Sequence, residues 1–309
     1  MALKRWKSCI QSQLSSYKSN TCFILRDGYF DNLRKVSDYL EGKPLTFIDN
    51  IKFVDIFKEN HELFSCVITT REICEHVSFF KGGIALAEHP KVVFIEINNS
   101  QPAIALESSP TKIGQNVIIS NSAYISEIGV VIGNNVTIGE NVQIYPGVEI
   151  EDNVVIKYGS LIGCEDYERC KDENNHVVLA KHKGVVRICS DAQIDEYVII
   201  DRPLFEWDST KVGAFSYIGK KTYISHGTKI GSCVFIAPCA TICGNTLIEN
   251  DVRIGVGAII GSRIVIGNNS IVSIGSVVNK SVLPFERVTG NLAVPHEQFM
   301  KHLKDMVKQ

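Results

Sequence analysis

Residues 211–278 read KVGAFSYIGKKTYISHGTKIGSCVFIAPCATICGNTLIENDVRIGVGAIIGSRIVIGNNSIVSIGSVV. In this stretch an Ile or Val falls at every sixth position, from Val212 through Ile218, Ile224 and Ile230 to Val272 and Val278. Carried back to Ile188, the series has sixteen slots, and only Glu206 departs from it. A composition of 45% hydrophobic residues would fill about seven such slots by chance. Upstream, Ile113, Ile119 and Ile125 keep the step, and after one extra residue it resumes as Ile132, Ile138, Ile144, Ile150, Ile156 and Ile162. A helix would bring apolar residues round three and four apart, so a strict six does not fit one. Short strands joined by tight turns do fit, coiling into a parallel β-helix with one aliphatic rung per side pointing inward. A small or β-branched residue often follows four places on, as at Ser216, Thr222, Val234 and Ala240. Each coil rests on its neighbours, so stability accumulates coil by coil.

Two stretches leave the rhythm. Residues 163–187 form a polar excursion and residues 201–211 (DRPLFEWDSTK) a second, and loops thrown out from a regular scaffold are where binding groups gather. Before residue 100 the six-step is absent. Short apolar runs such as LTFID and VVFIEI, with the helix-like FDNLRKVSDYL, predict a small α/β domain over 1–100. The coils occupy 101–290. In 291–309, PHEQFMKHLKDMVKQ opens with Pro and spaces Phe299, Leu303, Met306 and Val307 as one helix would.

The 309 residues carry 32 Lys plus Arg against 34 Asp plus Glu, a net charge of −2, which argues against nucleic acid as a partner. No run approaches the ~18 apolar residues of a membrane span. MALKRWKSCIQSQLSS turns polar at Gln11 and lacks the apolar middle of a signal peptide, so a cytoplasmic location is expected. The ten cysteines show no CxxC pair and read as reduced thiols. Cys233, Cys239 and Cys243 have no His or carboxylate at ligand spacing, and no metal is expected.

Three segments carry a family resemblance: LTFIDNIKF at 45–53, GVVRICSDAQIDEYVIIDR at 184–202 and YISHGTKIG at 223–231. They resemble the hexapeptide-repeat acyltransferases, and within these the UDP-3-O-acylglucosamine N-acyltransferases of lipid A synthesis. The resemblance implies a mainly β fold, a left-handed parallel β-helix that assembles as a homotrimer, with a uridine-binding N-terminal domain and a short C-terminal helix. It also implies transfer of an acyl group from acyl-carrier protein or coenzyme A to the amine of a UDP- or dTDP-linked amino sugar, with no bound cofactor. His226 would be the general base, a role an imidazole suits because its pKa lies near working pH. Gly244 lies eighteen residues on, one coil above His226, and by the resemblance its N–H would hold the oxyanion. Asp208, eighteen residues before, would orient the ring. Phe47 and Phe53 match the aromatic pair that sandwiches uracil, and Asn50 matches the amide that reads its edge. Three places differ from the family: Gly227 stands where Asn is usual, Arg263 where a second histidine is often found, and KKTYI (Lys220 to Ile224) where the family has DNL-Q. O-acetyl transfer from acetyl-CoA, a non-catalytic β-helix scaffold and a three-histidine metal hydratase drawing on His176 and His182 are the competing readings.

Overall fold

The computed structural model describes residues 12–18, 21–38, 42–103, 109–290 and 293–307. Its chain forms two compact units. The first takes residues up to Ile104 together with Glu165–Lys183 and Leu204–Trp207, and the second takes the rest. Residues 1–11, including Cys9, and 104–108 of the interdomain stretch lie outside the described residues.

A five-stranded sheet organises the first unit, in the order Cys22–Arg26, Gly83–Ala87, Cys66–Thr69, Pro44–Ile48, Asn32–Leu33. All neighbours are parallel except the first pair. Parallel sheets are covered on both faces, and their strands read as unbroken apolar runs for that reason. CVIT and GIALA do so. Cys66 and Ile68 join one core cluster with Leu45 and Phe94, while Val67 between them joins the other with Ile48, Phe57 and Ile84. Alternation of side chains along a strand produces this split. Helices Val54–Asn60, Arg71–His76 and Pro90–Ser100 follow the strands.

The excursions are built into this unit. Arg169–Lys171 and Val177–Leu179 pair as an antiparallel hairpin. Lys181 O accepts from Asn98 Nδ2 (2.9 Å), Lys181 N–H donates to Asn99 Oδ1 (2.8 Å), and Leu179 O accepts from Asn99 Nδ2 (2.9 Å). Glu168 receives Lys35 and Lys91, each at 2.7 Å. Burial alone would raise this carboxyl, but the two ammonium groups override it and hold its pKa down at about 2. In the second excursion Phe205 stacks on Trp207 (5.4 Å between centroids, planes 11° apart), and Trp207 Nε1 donates to Leu33 O at 2.9 Å. The middle of each stretch, Glu165–Lys183 and Leu204–Trp207, is thus an ordered part of the first unit, while Val185–Ile188 and Ser209–Val212 at their ends are strands of the coils.

In the second unit the six-residue steps become three parallel sheets of eight, eight and nine strands, the faces of a left-handed parallel β-helix. Ile224 pairs with Ile242, Ile242 with Ile260 and Ile260 with Val278, a rise of one coil every eighteen residues. Two coils are longer: Ile162 pairs with Ile200 and Ile200 with Ile224, and the extra residues are the two excursions. Every aliphatic from Ile188 to Ile266 in the six-step, Glu206 aside, is buried in one continuous core. Each rung contributes roughly 1.5–3 kcal/mol of burial. The small residues four places on fill the corners. Some of the polar ones bond to the next coil: Ser216 Oγ donates to Gly231 O, and Thr246 Oγ1 to Gly261 O, both at 2.9 Å, whereas the buried hydroxyls of Ser270 and Ser276 have no hydrogen-bond partner among the described residues.

Corners need a left-handed residue. Asn135, Asn153, Asn245 and Asn269 supply it, and so do Cys233, Cys239 and Arg263. Asn is the side chain that best tolerates this region after Gly, which accounts for the recurring N in the repeat. A helix spans His296–Val307 at the C-terminal end. Among the described residues no helix is long and apolar enough to cross a membrane.

Candidate active site

His226 sits two residues past the rung Ile224, at the corner where the strand Tyr223–Ile224 turns toward Lys229–Ile230. Its backbone is pinned on both sides. Ser225 N–H donates to Ile242 O at 2.9 Å, and Gly227 N–H donates to Thr210 Oγ1, also at 2.9 Å. The His226 carbonyl accepts from Asn245 N–H on the next coil (2.8 Å). A half-buried imidazole fixed in this way has little freedom beyond its side-chain torsions.

The ring lies against Gly244. A Cβ built on Gly244 would stand 2.6 Å from both Cε1 and Nε2 of His226. Non-bonded carbon and nitrogen do not approach so closely, so only glycine lets the imidazole lie here. The other ring nitrogen, Nδ1, is 3.1 Å from Ser225 Oγ. The edge carrying Nε2 and Cε1 thus meets backbone, while the Nδ1 edge meets a hydroxyl.

Asp208 lies on the coil before. Lys211 pairs with Lys229 and Val212 with Ile230, so the eighteen-residue step survives the second excursion and brings Asp208 into register with His226. One of its oxygens, Oδ1, is 2.6 Å from Lys229 Nζ and accepts Ser209 N–H at 2.7 Å. Lys229 Nζ also donates to the Ser209 carbonyl. The other oxygen, Oδ2, faces Gly227, where a built Cβ would stand 3.1 Å from it. The same Cβ would collide with Asn245 Oδ1 from the coil above. Gly227 has φ +68°, a conformation Asn also adopts, but the two flanking oxygens leave no room for a side chain. The departure from Asn to Gly at this place therefore has a local steric cause. Arg263 is exposed, and its N–H donates to Gly244 O at 3.1 Å, which ties it by backbone to the same column.

The structure brings His226, Gly244 and Asp208 to one corner column of the second unit. Ser225, Asn245 and Lys229 join them, and the rung pattern did not single these out. Asn245 and Lys229 lie eighteen residues above Gly227 and Lys211, so the coil step would have found them.

In the first unit, Phe47 is the penultimate residue of the strand Pro44–Ile48 and packs half-buried on Phe94, with ring centroids 4.9 Å apart. Asn50 caps the short turn Ile51–Phe53, its Oδ1 accepting Lys52 N–H at 3.1 Å. Phe53 is half-buried against the other core cluster, with Lys52 Nζ 4.9 Å from its ring centroid. The turn unites Asn50 and Phe53, whereas Phe47 packs with the cluster on the other side of the sheet. A cavity of about 760 Å³ opens past Thr69 and Ala87, lined by Arg71, His89 and Leu86 and by the carboxylates Glu72, Glu88 and Glu96. His176 pairs with Asp172 at 3.4 Å, and His182 is buried with Nδ1 3.1 Å from Ala180 O. Among the described residues no three His, Cys, Asp or Glu side chains converge as metal ligands.

The family model described as bacterial transferase hexapeptide (six repeats) matches residues 129–164 and 209–244, and the second match contains His226 and Gly244. The model for the hexapeptide repeat of succinyl-transferase matches 110–145 and 246–280. No curated protein matches the sequence. Solved structures similar to this chain include a UDP-N-acetylglucosamine O-acyltransferase from Moraxella catarrhalis, 22% identical over 64% of this chain and 79% of that one, with a TM-score of 0.41. A UDP-N-acetylglucosamine acyltransferase from Campylobacter jejuni is 20% identical over 59% and 68%, at 0.48. A perosamine N-acetyltransferase from Caulobacter crescentus, in complex with CoA and GDP-perosamine, is 11% identical over 82% and 96%, at 0.25. The family-model matches fall on the stacked coils, so the second unit carries hexapeptide repeats of the kind described for bacterial transferases.

Proposed function

We propose that the protein is an N-acyltransferase that moves an acyl group from a thioester, on acyl-carrier protein or coenzyme A, to the amine of a nucleotide-linked amino sugar. The observation that carries this reading is the His226 edge seated on Gly244 within the transferase repeat. The amine must lose a proton as its nitrogen attacks the thioester carbon. Nε2 of His226 takes that proton. The C–N bond forms, the Gly244 N–H donates to the oxyanion, and the C–S bond then breaks. Sulfur leaves and takes up the proton from Nε2. Asp208 steadies the imidazolium electrostatically while Lys229 holds the carboxylate in place.

In this reading the first unit binds the nucleotide, with uracil or thymine stacked on Phe53 and Phe47 and read by Asn50. Stacking suits the half-exposed rings, and the capping turn fixes the Asn50 backbone. Arg263 meets the donor or acceptor close to Gly244. The working form is a homotrimer, and the pathway is lipid A or another surface glycan.

Mass spectrometry of products tests the assignment. UDP- and dTDP-amino sugars would be supplied in turn with acetyl-CoA and with a 3-hydroxyacyl carrier protein. An acylated amino sugar resistant to mild hydroxylamine is the expected product. A hydroxylamine-labile ester would move the assignment to O-acylation, and no product with any pair would remove it.

A further inference from the structure

His226 has two ring nitrogens, and the proposed chemistry uses one. A neutral imidazole accepts a proton at Nε2 only when its own hydrogen is on Nδ1. The structure provides a group that decides between these tautomers. Ser225 is 3% exposed, and its Oγ lies 3.1 Å from Nδ1. One residue past the Ile200–Ile224 pair, Ser225 comes into register with Asp201, a buried carboxylate whose Oδ2 already accepts Tyr223 Oη–H at 2.6 Å. A serine hydrogen turned toward that side leaves Oγ to accept from the ring.

We infer that Ser225 is a positioning residue: its hydroxyl oxygen accepts Nδ1–H of His226 and so holds the Nε2 lone pair on the edge that faces Gly244. The inference rests on the reading of His226 as the base. Through the reaction the Nδ1–H···Oγ bond persists while the travelling proton comes and goes at Nε2. An oxygen accepting from Nδ1–H bonds more strongly to the imidazolium than to the neutral ring, so it also steadies the charged form that follows proton transfer. The titratable groups around this corner are Asp208 on the coil before, paired at 2.6 Å with Lys229 three residues past His226, Asp201 with Tyr223 on the same face, and Cys243 and Arg263 on the coils after. Ser225→Ala leaves all of them in place.

The test is kcat and KM for wild type, Ser225→Ala, Ser225→Thr and His226→Ala, with nitrogen-15 spectra of the histidine rings. Ser225→Ala is expected to lower kcat roughly 5- to 20-fold with KM within about twofold. Ser225→Thr, which keeps the hydroxyl, should restore it. In wild type, the signal lost in His226→Ala should show Nδ1 protonated and Nε2 bare, and Ser225→Ala should mix the two forms. A kcat unchanged in Ser225→Ala, or ring-nitrogen signals that show Nδ1 bare in wild type as a donating hydroxyl would require, overturns the role of Ser225. Full turnover by His226→Ala would instead overturn the base assignment beneath it, so the two failures are distinguishable.

Discussion

Gly244 and His226 are in such close apposition that a methyl group on the glycine would stand 2.6 Å from both Cε1 and Nε2 of the imidazole. The glycine is not in a left-handed conformation, so alanine fits the backbone and only the ring is disturbed. Gly244→Ala is therefore expected to fold with a melting temperature near wild type and to lose on the order of 100-fold in kcat, as for removal of an aligned base and oxyanion donor. Circular dichroism melts beside steady-state rates check this. Retained activity would mean that the ring and this amide do not act together.

Gly227 makes a different prediction, because it answers to packing rather than chemistry. With φ +68° and Asn245 Oδ1 in the way, Gly227→Ala should cost about 1–3 kcal/mol. Asn245→Gly in the same chain should recover part of that loss. A denaturation cycle over the two single variants and the double variant measures the coupling; simple additivity would show that Asn245 is not the obstacle.

Glu168 lends the first unit a pH dependence. Its folded pKa of about 2 lies below the 4.5 of a free carboxyl, so its contribution is fully present above about pH 4.5 and vanishes as pH falls toward 2. Glu168→Gln leaves Lys35 and Lys91 without their anion and should cost roughly 2–4 kcal/mol at pH 7. The wild type and variant melting temperatures should then converge as the pH approaches 2. Parallel curves across that range would show that the two lysines do not depress this group.

Phe47→Ala tests the nucleotide reading. If the ring stacks on the base, the apparent KM for the nucleotide sugar should rise about tenfold or more with kcat little changed, because binding and not chemistry is removed. Phe47 also packs on Phe94, so Phe94→Leu, which loosens the same core without touching the base, serves as the control. Equal changes in both variants would assign Phe47 to the core.

The coils were legible because their cause is periodic. A rung every six residues and a register of eighteen are written in Ile224, Ile242 and Ile260, and the same arithmetic led from His226 to Gly244 and Asp208. The destination of the excursions was not legible. Asn98 and Asn99 holding Leu179 and Lys181, or Lys35 and Lys91 meeting Glu168, are single polar pairings between distant segments, and such pairs leave no repeating trace. Ser225 escaped for a related reason. A serine before a histidine is unremarked in sequence, and only the rotamers that set Oγ 3.1 Å from Nδ1 give it meaning. Gly227 looked like a departure from a family pattern until the oxygens of Asp208 and Asn245 were seen to close on it.

The central claim is that one imidazole moves the proton in acyl transfer, and single-turnover acylation by His226→Ala tests it most directly. With the variant folded and assembled as the wild type is, the first-order rate of amide formation should fall by ~100-fold or more at saturating thioester and nucleotide sugar. A rate within a few-fold of wild type would contradict the account.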